Sequence, residues 1–302
     1  MKQYKYSLLL ILTAVIWGLA FVAQSSGSAY MGAATFTGVR FLIGALVLLP
    51  VIYVRDRMGL SEPSSADGKL LFSGTVCGFF LAAASLLQQM GISMGTSAGK
   101  AGFLTAIYIV IVPIFARLFF AQRIRLQIWI SVALSMAGLY LLCVRDGLSI
   151  LKSDFLVILC AFLFALQILS IDRFVVRLDP VRLSAVEFAA CGLFSSAVML
   201  VTDLRTLGFA GWIEGFAQPA AWIPLLYAGI FSSGVAYTLQ IVSQKHVEPA
   251  LACLIMSMES VFAAIGGWLI LKQTMGLREI IGSVTVLAAV LLSQYTPKTE
   301  AR

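Results

Sequence analysis

Residues 36–46 read FTGVRFLIGAL, and residues 183–193, in the second half of the chain, read LSAVEFAACGL. Each stretch lies inside an apolar segment that is long enough to cross a membrane. Arg40 in the first stretch occupies the position of Glu187 in the second. The chain is therefore predicted to be a duplicated membrane protein with opposite charges at equivalent places.

The correspondence between the halves extends along the rest of the chain. Residues 100–122 align with residues 251–273 at nearly the same spacing along the chain as the first pair of stretches. A shorter apolar stretch near the start of the first half likewise aligns with one near the start of the second half. Single matches between apolar sequences arise easily by chance, but successive matches at one spacing indicate an internal repeat. The sequence predicts residues 1–148 as a first repeat of five helices and residues 149–302 as the second.

The composition is that of a polytopic membrane protein. Of the 302 residues, 60% are hydrophobic and only 12% are charged. We predict an all-α integral membrane fold, with ten transmembrane helices at residues 6–24, 34–54, 70–92, 97–118, 126–144, 155–174, 183–203, 220–243, 249–271 and 277–295. Since each repeat then holds an odd number of helices, the second repeat is predicted to be inverted relative to the first.

The distribution of Lys and Arg predicts the orientation in the membrane. Most of these residues, including Arg55, Arg123 and Arg177, flank one end of the predicted helices. By the positive-inside rule that end is cytoplasmic, so we expect a multi-pass protein of the cytoplasmic (inner) membrane with both termini in the cytoplasm. The same bias accounts for the net charge of +7, so the lipid bilayer is an expected partner and nucleic acid is not. The sequence leaves the oligomeric state open.

Two residues at equivalent positions of the repeats are predicted to lie at the membrane midplane. Glu259 lies roughly 15 Å along the ninth predicted helix, and Tyr108 lies similarly deep in the fourth. A charge at that depth costs about 2.5–3.5 kcal/mol on insertion scales, so Glu259 needs a cavity, a partner or a proton. Glu259 is a candidate for substrate binding and for proton coupling, and a structural hydrogen bond is the alternative.

Three further charged residues are candidates for gating or charge pairing. Arg40 and Glu187 are predicted near opposite membrane faces, so they are not expected to pair with each other. Arg40 could also line a cavity or extend outward to the interface, and Glu187 could be solvated or linked to Arg177 or Arg182. Lys100, in the first turn of the fourth predicted helix, is the third candidate, with an interfacial position as its alternative.

A substrate cavity between the repeats requires side chains that stack on a solute and hydrogen-bond to it. The substrate-binding candidates are the aromatic and polar residues of suitable depth, Trp17, Phe21, Tyr108, Tyr237, Gln240 and Glu259. Helix packing is the alternative for each aromatic residue. Gln88, Gln89 and Gln167 are candidates for hydrogen bonds between helices, and Pro113 is predicted to bend the fourth helix near the midplane.

Four stretches also carry a resemblance to a known family: AVIWGLAFV at 14–22, GVRFLIGALVLLP at 38–50, TSAGKAGFLTAIYIVIVPIFARLFFAQRI at 96–124, and EPALACLIMSMESVFAAIGGWLILKQTM at 248–275. They resemble the EamA-type branch of the drug/metabolite transporter superfamily, over nearly the whole chain. The resemblance implies ten helices in two inverted repeats, a central cavity, and transport of small organic solutes, often export. Many members carry a carboxylate where this chain has Gln122 or Gln273, so no role is carried over to those positions.

The expected function is secondary transport of a small organic metabolite or drug-like solute by alternating access, as an exporter and with protons as a candidate coupling ion. A membrane scaffold or receptor without transport, or a membrane-embedded enzyme, is the alternative. An enzyme would need a catalytic constellation, but His246 is the single histidine and no HExxH motif is present. We therefore expect no enzyme activity, no cofactor and no metal.

Overall fold

The fold is described from a computed structural model, which covers residues 2–62, 67–144, 151–271 and 276–294. Ten helices within these ranges are long and apolar enough to cross a membrane. In chain order, spans 1 to 10 are Tyr4–Gly27, Ala33–Arg57, Gly68–Ser93, Ala98–Phe120, Leu126–Cys143, Lys152–Val175, Pro180–Val201, Pro219–Gln244, Pro249–Gly266 and Leu277–Gln294. The ten predicted helices are confirmed, with ends shifted by a few residues. The predicted boundary at residues 148 and 149 lies outside the described residues, as do position 295 and Gln273.

The two ends of the helix bundle differ in charge. We call the end at which span 1 begins the basic face, because Arg55, Arg182 and Lys245 lie there, and we call the other end the opposite face. At the opposite face, a further helical segment at Asp203–Ala217, kinked at Gly208, occupies the connection between spans 7 and 8. The Asp203 carboxylate accepts hydrogen bonds from the backbone N–H and the hydroxyl of Thr35, both at 2.7 Å. This connection is thereby attached to the start of span 2.

The two halves of the chain pack mainly against each other. Span 2 lies against spans 7 and 8, span 3 against spans 6 and 7, span 5 against span 10, and span 1 against spans 8 and 9. If each span is exchanged for the span five places earlier or later in the order of spans, the same set of contacts results. For example, the packing of span 3 on spans 6 and 7 corresponds to the packing of span 8 on spans 1 and 2. The middle of the bundle is therefore bounded by helices from both halves.

Spans 5 and 10 approach so closely that their crossing requires glycine. A Cβ atom on Gly138 would lie 2.8 Å from the carbonyl oxygen of Gly282. Conversely, a Cβ atom on Gly282 would lie 2.7 Å from the carbonyl oxygen of Gly138. In a membrane such small-residue contacts drive helix association, because lipid tails compete with larger apolar side chains for the same contacts.

Spans 4 and 9 are both interrupted near the middle, at equivalent positions of the two halves. In span 4 regular helix ends at Thr105 and resumes at Tyr108, whereas in span 9 it ends at Met256 and resumes at Glu259. Backbone hydrogen bonds to the residue three positions earlier bridge both interruptions. The sequence predicted a bend in span 4 at Pro113. Pro113 lies within the second helical segment, and the break lies more than one turn before it. Broken helices are tolerated at membrane depth where they line a cavity.

Span 8 is also irregular, because its central part, Tyr227–Tyr237, adopts the wider π-helical winding. Span 1 hydrogen-bonds to the carbonyl groups along this part: the Trp17 indole N–H donates to Ser232 O (3.3 Å), and the Thr13 hydroxyl donates to Ala236 O (3.2 Å). Wider helical winding is uncommon and occurs frequently at functional sites. Here it faces the same central space as the two helix breaks.

Candidate functional site

A small cavity lies between the two halves, at the level of the helix breaks. Spans 1 to 4 of the first half and spans 6, 8 and 9 of the second contribute its walls. The lining residues are Trp17, Ala20, Phe21, Gln24, Arg40, Gln88, Thr105, Tyr108, Phe164, Gln167, Ile168, Ser232, Tyr237, Gln240, Met256 and Glu259. Its free space of about 40 Å³ is enough for a few water molecules and is too small for a metabolite. A metabolite would need a wider cavity than this conformation provides.

All six residues that the sequence suggested for substrate binding line this one cavity. They come from four different spans, so only the tertiary fold brings them together. Two of them, Tyr108 and Glu259, each begin the second segment of a broken span. The structure therefore assembles these candidates at a single location, and their role in binding a substrate stays a prediction.

Glu259 is the acidic residue of the cavity wall. Its side chain is buried, and no described residue forms a hydrogen bond or an ion pair with its carboxylate. The carboxylate lies in the first turn of the helical segment that it begins, where the backbone N–H groups and the helix dipole favour negative charge. Glu259 is therefore oriented toward the cavity as a charged or protonatable group whose partner would have to come from the cavity contents.

Arg40 is the basic residue of the same wall, and lining a cavity was one of the positions that the sequence left open for it. Counting residues along span 2 indicated a location near the outer membrane face, separate from Glu259. In the structure the side chain is 2% exposed and lines the central cavity, because the cavity extends from the midplane toward the opposite face. The guanidinium atoms Nε and Nη2 have no hydrogen-bond partner among the described residues. A buried guanidinium of this kind requires an acceptor, supplied by water or by a bound anion.

Aromatic rings surround the two charged groups. The Trp17 and Tyr237 ring centroids lie 4.6 Å apart, and the Phe41 ring lies 5.6 Å from that of Tyr237. The Arg40 guanidinium carbon lies 4.7 Å above the Phe41 ring. Such aromatic faces provide area for stacking on a planar or apolar part of a solute, while the charged groups would fix its orientation.

Several polar residues of the cavity wall were not among the substrate-binding candidates. Gln24, Gln88, Gln167, Thr105 and Ser232 line the cavity, and the Oε1 atoms of Gln24 and Gln167 have no partner among the described residues. The sequence suggested Gln88 and Gln167 for hydrogen bonds between helices. Both form such bonds, and Gln88 donates to the Thr105 hydroxyl at 3.0 Å. In so apolar a chain, a glutamine within a membrane span was the sequence signal that could have indicated these cavity positions.

Glu187 lies behind the cavity wall, and its role in gating stays a prediction. Its side chain is fully buried, and one carboxylate oxygen accepts a 2.7 Å hydrogen bond from Gln167. The possible salt link to Arg177 or Arg182 is not formed, because Arg182 pairs with Asp56 instead, and Arg177 forms no ion pair with a described residue. Since Gln167 also lines the cavity, Glu187 orients a residue of the wall.

Lys100, the third charged candidate, forms an ion pair with Asp154 at the opposite face. The Asp154 carboxylate also accepts a 2.9 Å hydrogen bond from the Thr96 hydroxyl. Lys100 lies in the first turn of span 4 in the first half of the chain, and Asp154 lies in the first turn of span 6 in the second half. The pair therefore joins the two halves at that face.

The pair Arg55–Asp179 links the halves at the basic face through two hydrogen bonds. Both guanidinium nitrogens Nη1 and Nη2 donate to the Asp179 carboxylate, each at 3.0 Å. Asp179 also accepts from the backbone N–H groups of Glu62 and Arg182, at 3.0 Å. Partial burial tends to raise the pKa of this carboxyl, but the hydrogen bonds from Arg55 and from the backbone outweigh it and hold the pKa below its ordinary value.

Two further ion pairs flank this link. Arg182 donates to Asp56 at 2.8 Å, and Lys245 pairs with Glu62. In each pair one partner belongs to the first half of the chain and the other to the second. We call the six residues Arg55, Asp56, Glu62, Asp179, Arg182 and Lys245 the basic-face network. Among the described residues, no group of three or more His, Cys, Asp and Glu side chains is positioned to hold a metal ion.

Comparison with known protein families identifies what kind of protein has this architecture. The sequence model of the EamA-like transporter family matches the chain twice, over residues 5–144 and over residues 151–295. The chain belongs to the EamA-like transporter family. It is thus a multi-pass membrane transporter, and the cavity bounded by its two halves is the candidate transport site.

The relatives of this transporter agree with that assignment. It is 26% identical over 291 residues to an uncharacterized transporter of Archaeoglobus fulgidus, covering 96% of this chain and 86% of that protein. It is 21% identical over 299 residues to the uncharacterized transporter YoaV of Bacillus subtilis, covering 97% of each chain. One crystal structure has a TM-score of 0.78 to this transporter at 14% identity and covers 96% of both chains, which shows a shared fold.

Proposed function

We propose that this protein is a secondary transporter that moves a small organic solute across the cytoplasmic membrane by alternating access through the central cavity. The observation that carries the proposal is the composition of the cavity wall. Arg40 and Glu259, both buried and neither bonded to a described residue, line one cavity between the two halves of a transporter fold. Transport explains why such costly groups are kept at this depth.

Each charged group has a distinct role in this proposal. Arg40 binds an anionic group of the solute, because its fixed positive charge and fork of N–H donors suit carboxylate and phosphate oxygens. The rings of Trp17, Phe21 and Tyr237 hold the apolar body of the solute. Tyr108 and Gln240 hydrogen-bond to its remaining polar groups.

Glu259 couples transport to protons. A lone carboxylate enclosed at membrane depth is unfavourable while charged, so its charge is balanced by a proton or by a cationic group that enters the cavity. Exchange of the proton for solute, with access alternating between the two faces, would link solute flux to the proton gradient. Export is the direction implied by the family resemblance.

Access alternates by movement of the two halves against each other. With only about 40 Å³ of free space, the cavity must widen before it can hold a solute. In the present conformation the basic-face network and the pair Lys100–Asp154 join the halves on both sides of the cavity. We propose that these are the two gates and that each opens by separation of its ion pairs.

The proposed topology puts the basic face in the cytoplasm, together with both termini. The excess of Lys and Arg on that face supports it. The two units that move are the halves on either side of the predicted boundary at residues 148 and 149, with the second half inverted relative to the first.

Flux through reconstituted protein tests the proposal. The purified transporter is incorporated into liposomes preloaded with a panel of metabolites, and counterflow of each radiolabelled compound is measured. Organic anions with an apolar body should show saturable counterflow that empty liposomes lack. The absence of counterflow for every compound in a broad panel, with the protein folded and inserted, would contradict a transport function.

A further inference from the structure

A second and larger opening lies away from the transport cavity, at the basic face. Its free space is about 530 Å³, and it lies between the start of span 3 and the end of span 6 with the turn that follows. We call it the basic groove. Its lining includes three cationic residues, Lys69, Arg173 and Arg177, and the apolar side chains of Phe72, Phe174, Val176 and Leu178.

The three cations of the basic groove differ from the other cations that share this face. Arg55, Arg182 and Lys245 each form an ion pair in the basic-face network. By contrast, the side chains of Lys69, Arg173 and Arg177 form no hydrogen bond or ion pair with any described residue. Asp172 lies close enough to Arg173 to offset part of its charge, but three cations around one concave opening still attract an anion.

The apolar part of the groove faces the bilayer. The Phe72 side chain is 63% exposed and that of Val176 is 65% exposed. In a membrane protein, exposed apolar surface of this kind meets lipid tails. The Phe72 and Phe174 rings meet edge to face, with centroids 6.2 Å apart, and form a fixed apolar wall. Cations at the helix ends and apolar surface beside them match the two parts of a phospholipid.

We propose that the basic groove binds one anionic phospholipid of the surrounding membrane. Its phosphate group contacts Lys69, Arg173 and Arg177, and an acyl chain lies against Phe72 and Val176. Basic pockets between transmembrane helices at the cytoplasmic side are suited to such headgroups. The lipid is present at high local concentration in any membrane that holds the protein, and it requires no opening of the transport cavity.

The groove also joins the two halves of the chain. Span 3 belongs to the first half, and span 6 with its following turn belongs to the second. A lipid bound there bridges the halves next to Asp179 and therefore stabilises the conformation in which the basic-face network is formed. This binding does not depend on which solute the protein transports, or on transport itself.

The test compares retention of two lipids by the full chain. The purified protein in detergent is equilibrated with dioleoylphosphatidylglycerol or dioleoylphosphatidylcholine, and native mass spectrometry counts the lipids that stay bound. We expect one tightly retained phosphatidylglycerol and no equivalent phosphatidylcholine. In the triple variant K69Q/R173Q/R177Q, affinity for phosphatidylglycerol should fall by about five-fold for each cation removed.

The matched control removes the same charge from the same face outside the groove. The triple variant K5Q/R123Q/R125Q should keep the tightly bound phosphatidylglycerol. Equal loss in both triple variants, or equal retention of both lipids by the unaltered protein, would overturn the proposal in favour of general surface attraction. If the groove variant unfolds in a melting assay, the single exposed substitution Arg177→Gln replaces it, with Arg123→Gln as its control.

A further variant separates a lipid from a free phosphate ion. Phe72→Ser keeps all three cations but removes the apolar wall, so it should weaken phosphatidylglycerol binding. Millimolar inorganic phosphate should not displace the lipid from the unaltered protein. Displacement by phosphate, together with unchanged lipid binding in Phe72→Ser, would show that the groove is an anion site and not a lipid site.

Discussion

Tyr108 and Glu259 occupy the same position in the two halves of the chain: each is the first residue of the helical segment that resumes after a break, and both line the central cavity. The breaks give the cavity two helix N-termini from opposite halves, each with a positive dipole end. One N-terminus carries an acidic residue and the other carries a phenol. The two halves are therefore alike in backbone and different in chemistry at the point where they meet.

Substitution of Arg40 should change which solutes the protein accepts. We expect Arg40→Gln to reduce affinity for anionic solutes by about ten- to a hundred-fold, the usual range for loss of a hydrogen bond to a charged group. Affinity for the amide analogue of the same solute should change little. Binding is measured by thermal shift with matched carboxylate and amide pairs.

Arg40→Lys and Arg57→Gln are the controls for that experiment. The lysine keeps the charge and should restore part of the affinity, whereas Arg57 lies on the exposed end of span 2, away from the cavity. Equal effects of Arg40→Gln on the carboxylate and amide compounds would show that Arg40 supports the fold and does not bind the solute.

Loss of the Arg55–Asp179 pair should open the basic face. In a background without native cysteines, Ser232→Cys puts a reporter thiol in the cavity wall. We expect Asp179→Asn to increase several-fold the rate at which a membrane-impermeant thiol reagent labels this cysteine from the basic face. Arg57→Gln, which removes a neighbouring charge outside the network, should leave the rate unchanged. Equal labelling rates with and without Asp179→Asn would exclude this pair as a gate.

The same pair predicts how stability depends on pH. Because the pKa of Asp179 is held below its ordinary value, its stabilising effect is complete above the unfolded-state value of about 3.9 and is lost as the pH falls through the lower folded-state value. The difference in melting temperature between the unaltered protein and Asp179→Asn should therefore be constant from about pH 5 to 8 and should shrink only in stronger acid. A difference that disappears already near pH 6 would contradict this account.

The crossing of spans 5 and 10 should tolerate no side chain at Gly138. In most helices Gly→Ala stabilises by up to about 1 kcal/mol, but here the added Cβ lies 2.8 Å from the Gly282 carbonyl oxygen. We expect Gly138→Ala to lower the melting temperature, with a loss of about 1–3 kcal/mol typical of overpacking. Gly99→Ala is the control, since nothing lies within 4 Å of a Cβ at that position, and it should be neutral or stabilising. An unchanged melting temperature for Gly138→Ala would contradict the close approach.

The sequence was sufficient for features that depend on length and depth along one helix. Membrane-length apolar segments predicted ten spans, and the depth of Glu259 and Tyr108 predicted that both lie near the centre. For Arg40 the same reasoning left a cavity, charge pairing and an interfacial position open, because depth along the axis does not show how far a cavity extends toward one face. The helix breaks were also missed, since Pro113 was the visible signal and the interruption lies before Tyr108.

Contacts between distant parts of the chain could not be predicted from the sequence. Lys100 pairs with Asp154, and Glu187 accepts a hydrogen bond from Gln167, but neither pair has a local spacing that would indicate it. The Arg55–Asp179 pair depends on which turns meet at the basic face. Such partners are determined by how the two halves pack together. This packing depends on the shapes of the apolar helix surfaces, which the sequence pattern does not show.

The pH dependence of flux in the variant Glu259→Gln tests the central claim most directly. Counterflow and gradient-driven flux are measured in liposomes for the unaltered protein, for Glu259→Gln, and for Glu187→Gln, which alters an equally buried carboxyl outside the cavity wall. We predict that Glu259→Gln remains folded and inserted but loses the dependence of flux on pH and on the proton gradient, while Glu187→Gln keeps both. Flux through Glu259→Gln that responds to pH and to the gradient as the unaltered protein does would contradict the account.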